Sequence, residues 1–252
     1  MGLAKRIIPT LLVRGRQLVK GSQFNSWRSV GLAAQAVRIH QARGVDEIVI
    51  CDISATAEGR GPDLSLIEEL SDVLYCPLSV GGGVRTVDDV RALLRAGADK
   101  VVIGTMGFSA IPNVVKEVSD AVGSQAVVVS IDVRAGEVYT HGGRHRAGHG
   151  IGAVEYAQIL KRDGAGEILL TSIEREGTMK GYDLDLIRDV SSAVSIPVIA
   201  NGGCGSYEDM RLAIEAGASA VAAGAMFLFS DLTPKGAAEY LLQHNIEVRI
   251  PA

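Results

Sequence analysis

Cysteine is scarce in this sequence of 252 residues. Cys51, Cys76 and Cys204 lie far apart and form no CxxC or other metal-ligating spacing. An odd, unclustered set of cysteines is typical of reduced thiols in the cytosol rather than of a disulfide framework. We therefore expect a cytoplasmic protein with no metal site.

An excess of charge and long apolar runs are also missing. The formal net charge is −4, which lacks the basic surface that nucleic acid or an anionic membrane attracts. The N-terminal apolar run 7–13 ends at Arg14 and is far shorter than the roughly 20 residues of a membrane helix. We expect no signal peptide, no transmembrane span and no nucleic-acid partner.

Short runs rich in Val and Ile alternate with stretches of helical periodicity. Runs that are apolar on both faces are typical of parallel strands buried between helices. Eight strand–helix units predict an α/β fold, the (β/α)₈ TIM barrel, with an open doubly wound sheet as the alternative. The runs include "DEIVICDI", "PLSVGGG", "DKVVIG", "QAVVVSIDV", "GEILLTSI" and "PVIANGG".

An internal repeat indicates how such a barrel is built. Residues 77–106 and 197–226 align without a gap at an offset of 120 residues, as from Pro77 to Pro197. We therefore predict a single domain over residues 1–252, made of two (βα)₄ half-barrels at about 1–120 and 121–245. A doubled half-barrel should carry two copies of any site that the half once bound.

Glycine clusters occur twice, at 81–83 and 202–203, and each precedes a small-residue strand end, at 104–106 and 224–226. Backbone N–H groups beside glycine and helix N-termini bind anions. The pair predicts two phosphate cradles for a ligand with a phosphate at each end; the alternative is that the glycines only permit tight turns. The segment 174–183 fits a flexible loop whose Gly177 adds backbone donors to the second cradle.

Two aspartates, Asp52 and Asp132, end the second and fifth predicted strands. A buried carboxylate there can act as a general acid or base, although Asp52 could equally anchor a loop. The repeat places the partner of Asp132 at position 12, where Leu12 cannot transfer a proton.

Four charged residues of alternating sign stand at the opposite, N-terminal starts of the strands. Barrel interiors are ordinarily aliphatic, and a buried charge ring is a poor source of stability. The four are either a salt-bridged plug or exposed strand starts, or they gate a central passage. They are Arg6, Glu47, Lys100 and Glu167.

The segment "HGGRHRAGHG" spaces His141, His145 and His149 by four residues. On a helix this spacing would suggest a metal site, but its glycines disfavour a helix. We expect a mobile loop over the catalytic face. Trp27, in the loop expected after the first strand, is a candidate lid or partner contact.

The motifs "LAKRIIP", "VKG", "GGGVRTVDDVRALLRAGADKV", "VYTHGGR", "GAGEILLTSIEREGTMKGYDL" and "IPVIANGG" resemble the HisF family, the cyclase subunit of imidazole glycerol phosphate synthase, over essentially the whole chain. The resemblance implies that a ribulosyl-imidazole-carboxamide bis-phosphate binds across two phosphate sites, without a cofactor. It also implies that a glutaminase subunit docks on the N-terminal face and passes ammonia through a gate that Arg6, Glu47, Lys100 and Glu167 match. The substrate and phosphate positions implied are Lys20, Asp52, Gly82, Gly83, Thr105, Thr171, Gly177, Gly202, Gly203, Gly224 and Ala225.

The chain departs from the family pattern at the catalytic pair. Asp132 matches one catalytic aspartate, whereas Leu12 replaces the other, "TLLV" standing for the usual "CLDV". An intact gate with damaged chemistry resembles a branch in surface-polysaccharide pathways, whose barrel relays ammonia from a glutaminase to a sugar amidotransferase. The final ammonia acceptor cannot be read from the sequence.

Three alternatives stay open. The first is a competent cyclase for histidine synthesis, in which Asp52 or Glu176 substitutes for the missing aspartate. The second is a non-catalytic scaffold that docks and stimulates the glutaminase. The third is a phosphoribosyl isomerase of the sister barrel family, against which Leu12 and Lys100 speak.

Overall fold

Eight parallel strands form a closed barrel in the computed structural model, which describes residues 4–108, 114–148 and 150–249. Around the barrel they run β1, β4, β5, β6, β7, β10, β11 and β12, and β12 pairs with β1. The predicted (β/α)₈ barrel is therefore confirmed. The strands in chain order are β1 (Arg6–Arg14), β2 (Gln17–Ser22), β3 (Asn25–Leu32), β4 (Ile48–Asp52), β5 (Leu78–Gly81), β6 (Lys100–Ile103), β7 (Val127–Arg134), β8 (Glu137–Thr140), β9 (His145–Arg146), β10 (Glu167–Ser172), β11 (Val198–Asn201) and β12 (Ala220–Ala223).

Helices surround the barrel and cover the outer face of its strands. They are α1 (Ala33–Ala42), α2 (Leu64–Ser71), α3 (Val87–Arg95), α4 (Val114–Val122), α5 (Ala153–Arg162), α6 (Leu184–Ala193), α7 (Tyr207–Glu215), α8 (Ala225–Phe229) and α9 (Pro234–Gln243). Among the described residues, no helix combines the length and the apolar character needed to span a bilayer.

Two antiparallel extensions lie outside the barrel. Strands β2 and β3 form a hairpin directly after β1, and β8 and β9 extend β7 in the same way. The expectation that Trp27 lies in a loop is therefore wrong, since Trp27 belongs to β3. Pairing with β2 satisfies the backbone N–H and C=O groups of β3. The sequence does not indicate this strand, because polar and apolar residues do not alternate strictly along it.

The core has two layers, one between strands and helices and one inside the barrel. Along β1, Leu11 belongs to the outer layer and Ile8 to the inner layer. Because side chains alternate along a strand, Leu12 points inward like Ile8. The inner layer consists of Ile8, Val49, Val102, Val128, Leu169, Ile199, Ala220 and Ala222.

Candidate functional site

A closed ring of ion pairs lies at the N-terminal end of the barrel. Arg6 donates from Nη1 to Glu47 Oε2 at 2.6 Å and from Nη2 to Glu167 Oε2 at 2.9 Å. Lys100 Nζ donates to the same two residues, at 2.9 Å to Glu47 Oε2 and at 3.0 Å to Glu167 Oε1. Each charge thus has two partners of opposite sign. We call Arg6, Glu47, Lys100 and Glu167 the basal ring.

The basal ring is partly withdrawn from solvent. The Glu47 side chain is 2% exposed and the Arg6 side chain 25%, and Ser79 Oγ donates a third hydrogen bond to Glu47 at 2.6 Å. Burial acts to lower the pKa of Arg6, but the carboxylates of Glu167 and Glu47 outweigh it and raise that pKa overall. Arg6 therefore stays charged, and the apolar inner layer stands above the basal ring.

A deep cavity opens at the other end, above the carboxyl ends of the strands. It measures about 810 Å³, within the range of small-molecule sites. Every barrel strand or the residue following it contributes to the wall. The innermost lining residues are Thr10, Leu12, Cys51, Gly81, Val102, Ser130, Asp132, Leu169, Thr171, Asn201 and Gly224.

Asp132 is the carboxylate best suited to proton transfer in this cavity. It lies on β7 beside Thr171 of β10, and Ser130 Oγ donates to its Oδ1 at 3.0 Å. Burial raises the pKa of Asp132 to about 6, the Ser130 hydroxyl opposes the rise, and the charge of Glu176 adds to it. A carboxyl group with this pKa can take up and release a proton near neutral pH.

The wall opposite Asp132 offers no carboxylate of this kind. Strands β1 and β7 are four places apart in either direction around the barrel, so Leu12 faces Asp132 across the mouth. Beside Leu12 on β4 lies Cys51. Burial, with the nearby charges of Asp132 and Asp52, raises the pKa of this thiol to about 12, so it stays protonated.

Asp52 anchors a loop. This is the alternative to an acid/base role that the sequence left open. Its Oδ1 accepts hydrogen bonds from Ser54 N and Ser54 Oγ, both at 2.9 Å, and from Ala55 N at 3.2 Å. Its Oδ2 accepts from Arg60 Nη2 at 2.9 Å. Although Asp52 lines the cavity, this network commits both of its oxygens.

The first predicted phosphate cradle faces the cavity. Gly82, Gly83, Gly104 and Thr105 all line it. Gly82 has φ +104°, and a Cβ there would lie 2.3 Å from Asp52 O, so only glycine fits. Thr105 begins a short 3₁₀ helix and its Oγ1 accepts from His141 N at 2.9 Å.

The second predicted cradle faces the cavity only in part. Gly224 and Thr171 line it, and Thr171 Oγ1 accepts from Asn201 Nδ2 at 3.0 Å. Four residues predicted here lie outside the lining: Gly177, Gly202, Gly203 and Ala225. A Cβ on Gly203 would lie 2.2 Å from Gly181 O, and one on Gly177 2.3 Å from Gly21 O. At Gly177 and Gly203, glycine therefore allows two loops to pack closely; whether these residues also bind phosphate stays a prediction.

Lys20 reaches the second cradle from β2. Its ammonium group forms an ion pair with Glu176, and a Cβ placed on Gly224 would lie 3.5 Å from Lys20 Nζ. Glu176 is 6% exposed, so part of the segment 174–183, expected to be a flexible loop, is packed into the mouth.

Sequence reasoning missed three cations that line the cavity, Arg14, Arg85 and Arg144. Two motifs in the sequence could have indicated these cations. Arg85 follows directly on the glycine cluster "GGGV", and Arg144 lies within the histidine-rich segment. With Asp52 and Glu176 already paired to cations, the mouth carries positive charge that suits a phosphorylated ligand.

The histidine-rich segment belongs to the β8–β9 hairpin. His141 and His145 line the cavity, and their rings meet edge to face with centroids 5.0 Å apart. His149 lies outside the described residues. The strand pairing is consistent with the expectation that this spacing is not helical.

One comparison with known proteins bears on this geometry. A family model described as "Histidine biosynthesis protein" matches residues 6–233. The match covers every strand of the barrel, the basal ring and the lining of the cavity.

Proposed function

Since the chain belongs to the histidine biosynthesis protein family of HisA- and HisF-type barrels, we propose that it is the ammonia-accepting barrel subunit of a glutamine amidotransferase. In this proposal a glutaminase docks on the N-terminal face and ammonia enters through the basal ring. The ring's closed arrangement of ion pairs, all at 2.6 to 3.0 Å, is the observation that supports the proposal most strongly. Four mutually paired charges cost desolvation free energy, and a role in admitting a small polar molecule gives a reason for them.

We further propose that the barrel's own cyclase chemistry is weak. Closing an imidazole ring requires proton transfers on two sides of the substrate, and each positioned transfer contributes roughly 10²–10⁴-fold. Asp132 is placed and tuned for one transfer, while Leu12 opposite is apolar. Ammonia that is not consumed in the mouth is then available to a separate acceptor, for which we propose a sugar amidotransferase of polysaccharide synthesis.

The cavity also supports a phosphorylated ligand at the mouth. The first cradle exposes Gly82, Gly83 and Thr105, and the cations Arg14 and Arg85 line the same cavity. Phosphate groups combine well with backbone N–H donors and guanidinium groups. A bis-phosphate would place its second phosphate beside Lys20.

The test is turnover of the ribulosyl-imidazole-carboxamide bis-phosphate with saturating ammonium salt. We expect the natural chain to be slow and Leu12→Asp to be roughly 10²-fold faster or more, because it restores the second proton-transfer group. Leu12→Asn, which is polar and of similar size to aspartate but carries no acid, is the control. Rapid turnover by the natural chain would exclude the weak-cyclase proposal.

A competent cyclase in histidine synthesis is the second candidate, and one observation favours it. Glu176 lines the same cavity as Asp132, and its charge adds to the rise in the pKa of Asp132, which supports Glu176 as the replacement carboxylate. In that case Glu176→Gln would abolish turnover, whereas under the first proposal it leaves the low rate unchanged or raises it.

A further inference from the structure

The ion pair between Lys20 and Glu176 is the most deeply buried one at the cavity. The two side chains are 4% and 8% exposed, and both line the cavity. Lys20 Nζ also lies next to Gly224, at the end of β12. The ammonium group therefore stands where the second phosphate of a ligand is proposed to bind, and a carboxylate of the same chain already occupies it.

The backbone fixes Glu176 in this place. Gln23 N donates to Glu176 O at 2.8 Å, and Gly177 packs against Gly21 so closely that a Cβ would lie 2.3 Å from its carbonyl oxygen. The Glu176 side chain thus reaches Lys20 from a loop that is already docked on the β2–β3 hairpin. The Lys20–Glu176 ion pair is therefore not the only contact that holds this loop on the hairpin.

Among the described residues, no equivalent pair lies at the first cradle. At the repeat offset of 120 residues, Lys20 corresponds to Thr140 and Glu176 to Thr56, both uncharged residues that line the cavity near the first cradle. Burying two opposite charges costs desolvation that their attraction repays only in part. A buried pair at one cradle alone points to a role specific to that cradle.

We propose that Glu176 is a built-in competitor for Lys20, which a dianionic phosphate group displaces and a monoanionic carboxylate does not. This inference rests on the proposed function in taking the cavity for the site of a phosphorylated ligand. A phosphate monoester carries about −1.5 to −2 charge at neutral pH, so its attraction to Lys20 exceeds that of the Glu176 carboxylate. An ammonium group has three donors, and within the described residues Glu176 is the one acceptor recorded for it.

The test measures binding of inorganic phosphate by isothermal titration calorimetry at pH 7.5. We expect Glu176→Gln to bind phosphate about tenfold more tightly than the natural chain, because a charged competitor is removed from Lys20. Glu176→Asp keeps the charge on a side chain one methylene shorter, and we expect a smaller gain. Acetate should show no binding to the natural chain.

Two further variants test whether the change in phosphate affinity acts through Lys20. In a Lys20→Met background, Glu176→Gln should no longer change phosphate affinity. Unchanged or weaker binding by Glu176→Gln with Lys20 present would overturn the proposal. So would failure of both Glu176 variants to fold, judged by circular dichroism, since the pair would then be structural. Neither ammonia nor turnover enters this measurement, so its failure is distinguishable from failure of the proposed function.

Discussion

The two parts of the chain related by the 120-residue offset agree at the side chains that cap their helices. Helix α3 begins with a capping box between Thr86 and Asp89, and α7, its counterpart 120 residues later, begins with one between Ser206 and Asp209. Asp63 caps α2 by accepting from Leu66 N, and its counterpart Asp183 caps α6 by accepting from Leu186 N. These side chains satisfy otherwise unpaired N–H groups, so both halves need them.

The halves differ at inward-facing and buried functional positions. Leu12 stands opposite its counterpart Asp132, and the Lys20–Glu176 pair has only threonines as counterparts. At the basal ring Ser79 supports Glu47, whereas the counterpart of Ser79 is the apolar Ile199. The 120-residue repeat therefore predicts the helix caps of this protein but not the side chains inside its cavity.

We expect the largest change in activity at Asp132, the counterpart of Leu12. In a Leu12→Asp background, Asp132→Asn should lower turnover of the bis-phosphate roughly 10²–10⁴-fold. If Asp132 acts as the base, kcat/KM should rise with pH up to about 6 and then level off, because that is the pKa to which burial raises it. Equal rates with and without Asp132 would assign the chemistry elsewhere.

The basal ring offers a comparison between counterparts, Glu47 and Glu167. Removing one member of a buried ion pair costs up to about 3–5 kcal/mol. We expect Glu47→Gln to lose about 3 kcal/mol of unfolding free energy, because Glu47 is almost fully buried and also accepts from Ser79. Glu167→Gln should lose about 1 kcal/mol, since its side chain is 14% exposed. Urea denaturation at pH 7 measures both, and equal losses would contradict this account of the ring.

His40 on α1 corresponds to Leu160 on α5, and both are buried. Burial, aided by the charge of Arg43, lowers the pKa of His40 to about 4, below its unfolded value of about 6.5. The unfolded chain therefore takes up a proton first, and stability falls as the pH drops through this window. From pH 7 to pH 5 the natural chain should lose about 2 kcal/mol more than His40→Leu, measured by urea denaturation. Equal losses would show that His40 is not the group responsible.

The smallest effect is expected at the capping boxes. Thr86→Ala and Ser206→Ala should each lower the free energy of unfolding by about 1 kcal/mol. We expect the two losses to be equal, because both hydroxyls accept the equivalent backbone hydrogen bond, at 3.1 and 3.2 Å. A loss of unfolding free energy in only one of the two variants would contradict this prediction, since the two caps would then share their geometry but not their energetic contribution.

The barrel could be predicted because local sequence patterns determine its strands and helices. Apolar runs, polar helix starts and glycine ends each carry their own signal in the sequence. The strand that contains Trp27 was missed because every residue of β3 is at least partly exposed, so no alternation of buried and exposed side chains marks it. Contacts between loops determine the role of Asp52 and keep Gly202 and Gly203 out of the cavity lining. Periodicity in the sequence does not reveal such contacts.

Passage of ammonia from a glutaminase through the basal ring can be measured by isotope competition. The complex with a glutaminase is given glutamine labelled with ¹⁵N at the amide in a buffer of unlabelled ammonium, and the imidazole product is analysed by mass spectrometry. Slow turnover suffices, since the isotope ratio does not depend on rate. The account predicts ¹⁵N in the product well above its fraction in the bulk ammonium; a product that matches the bulk would contradict it.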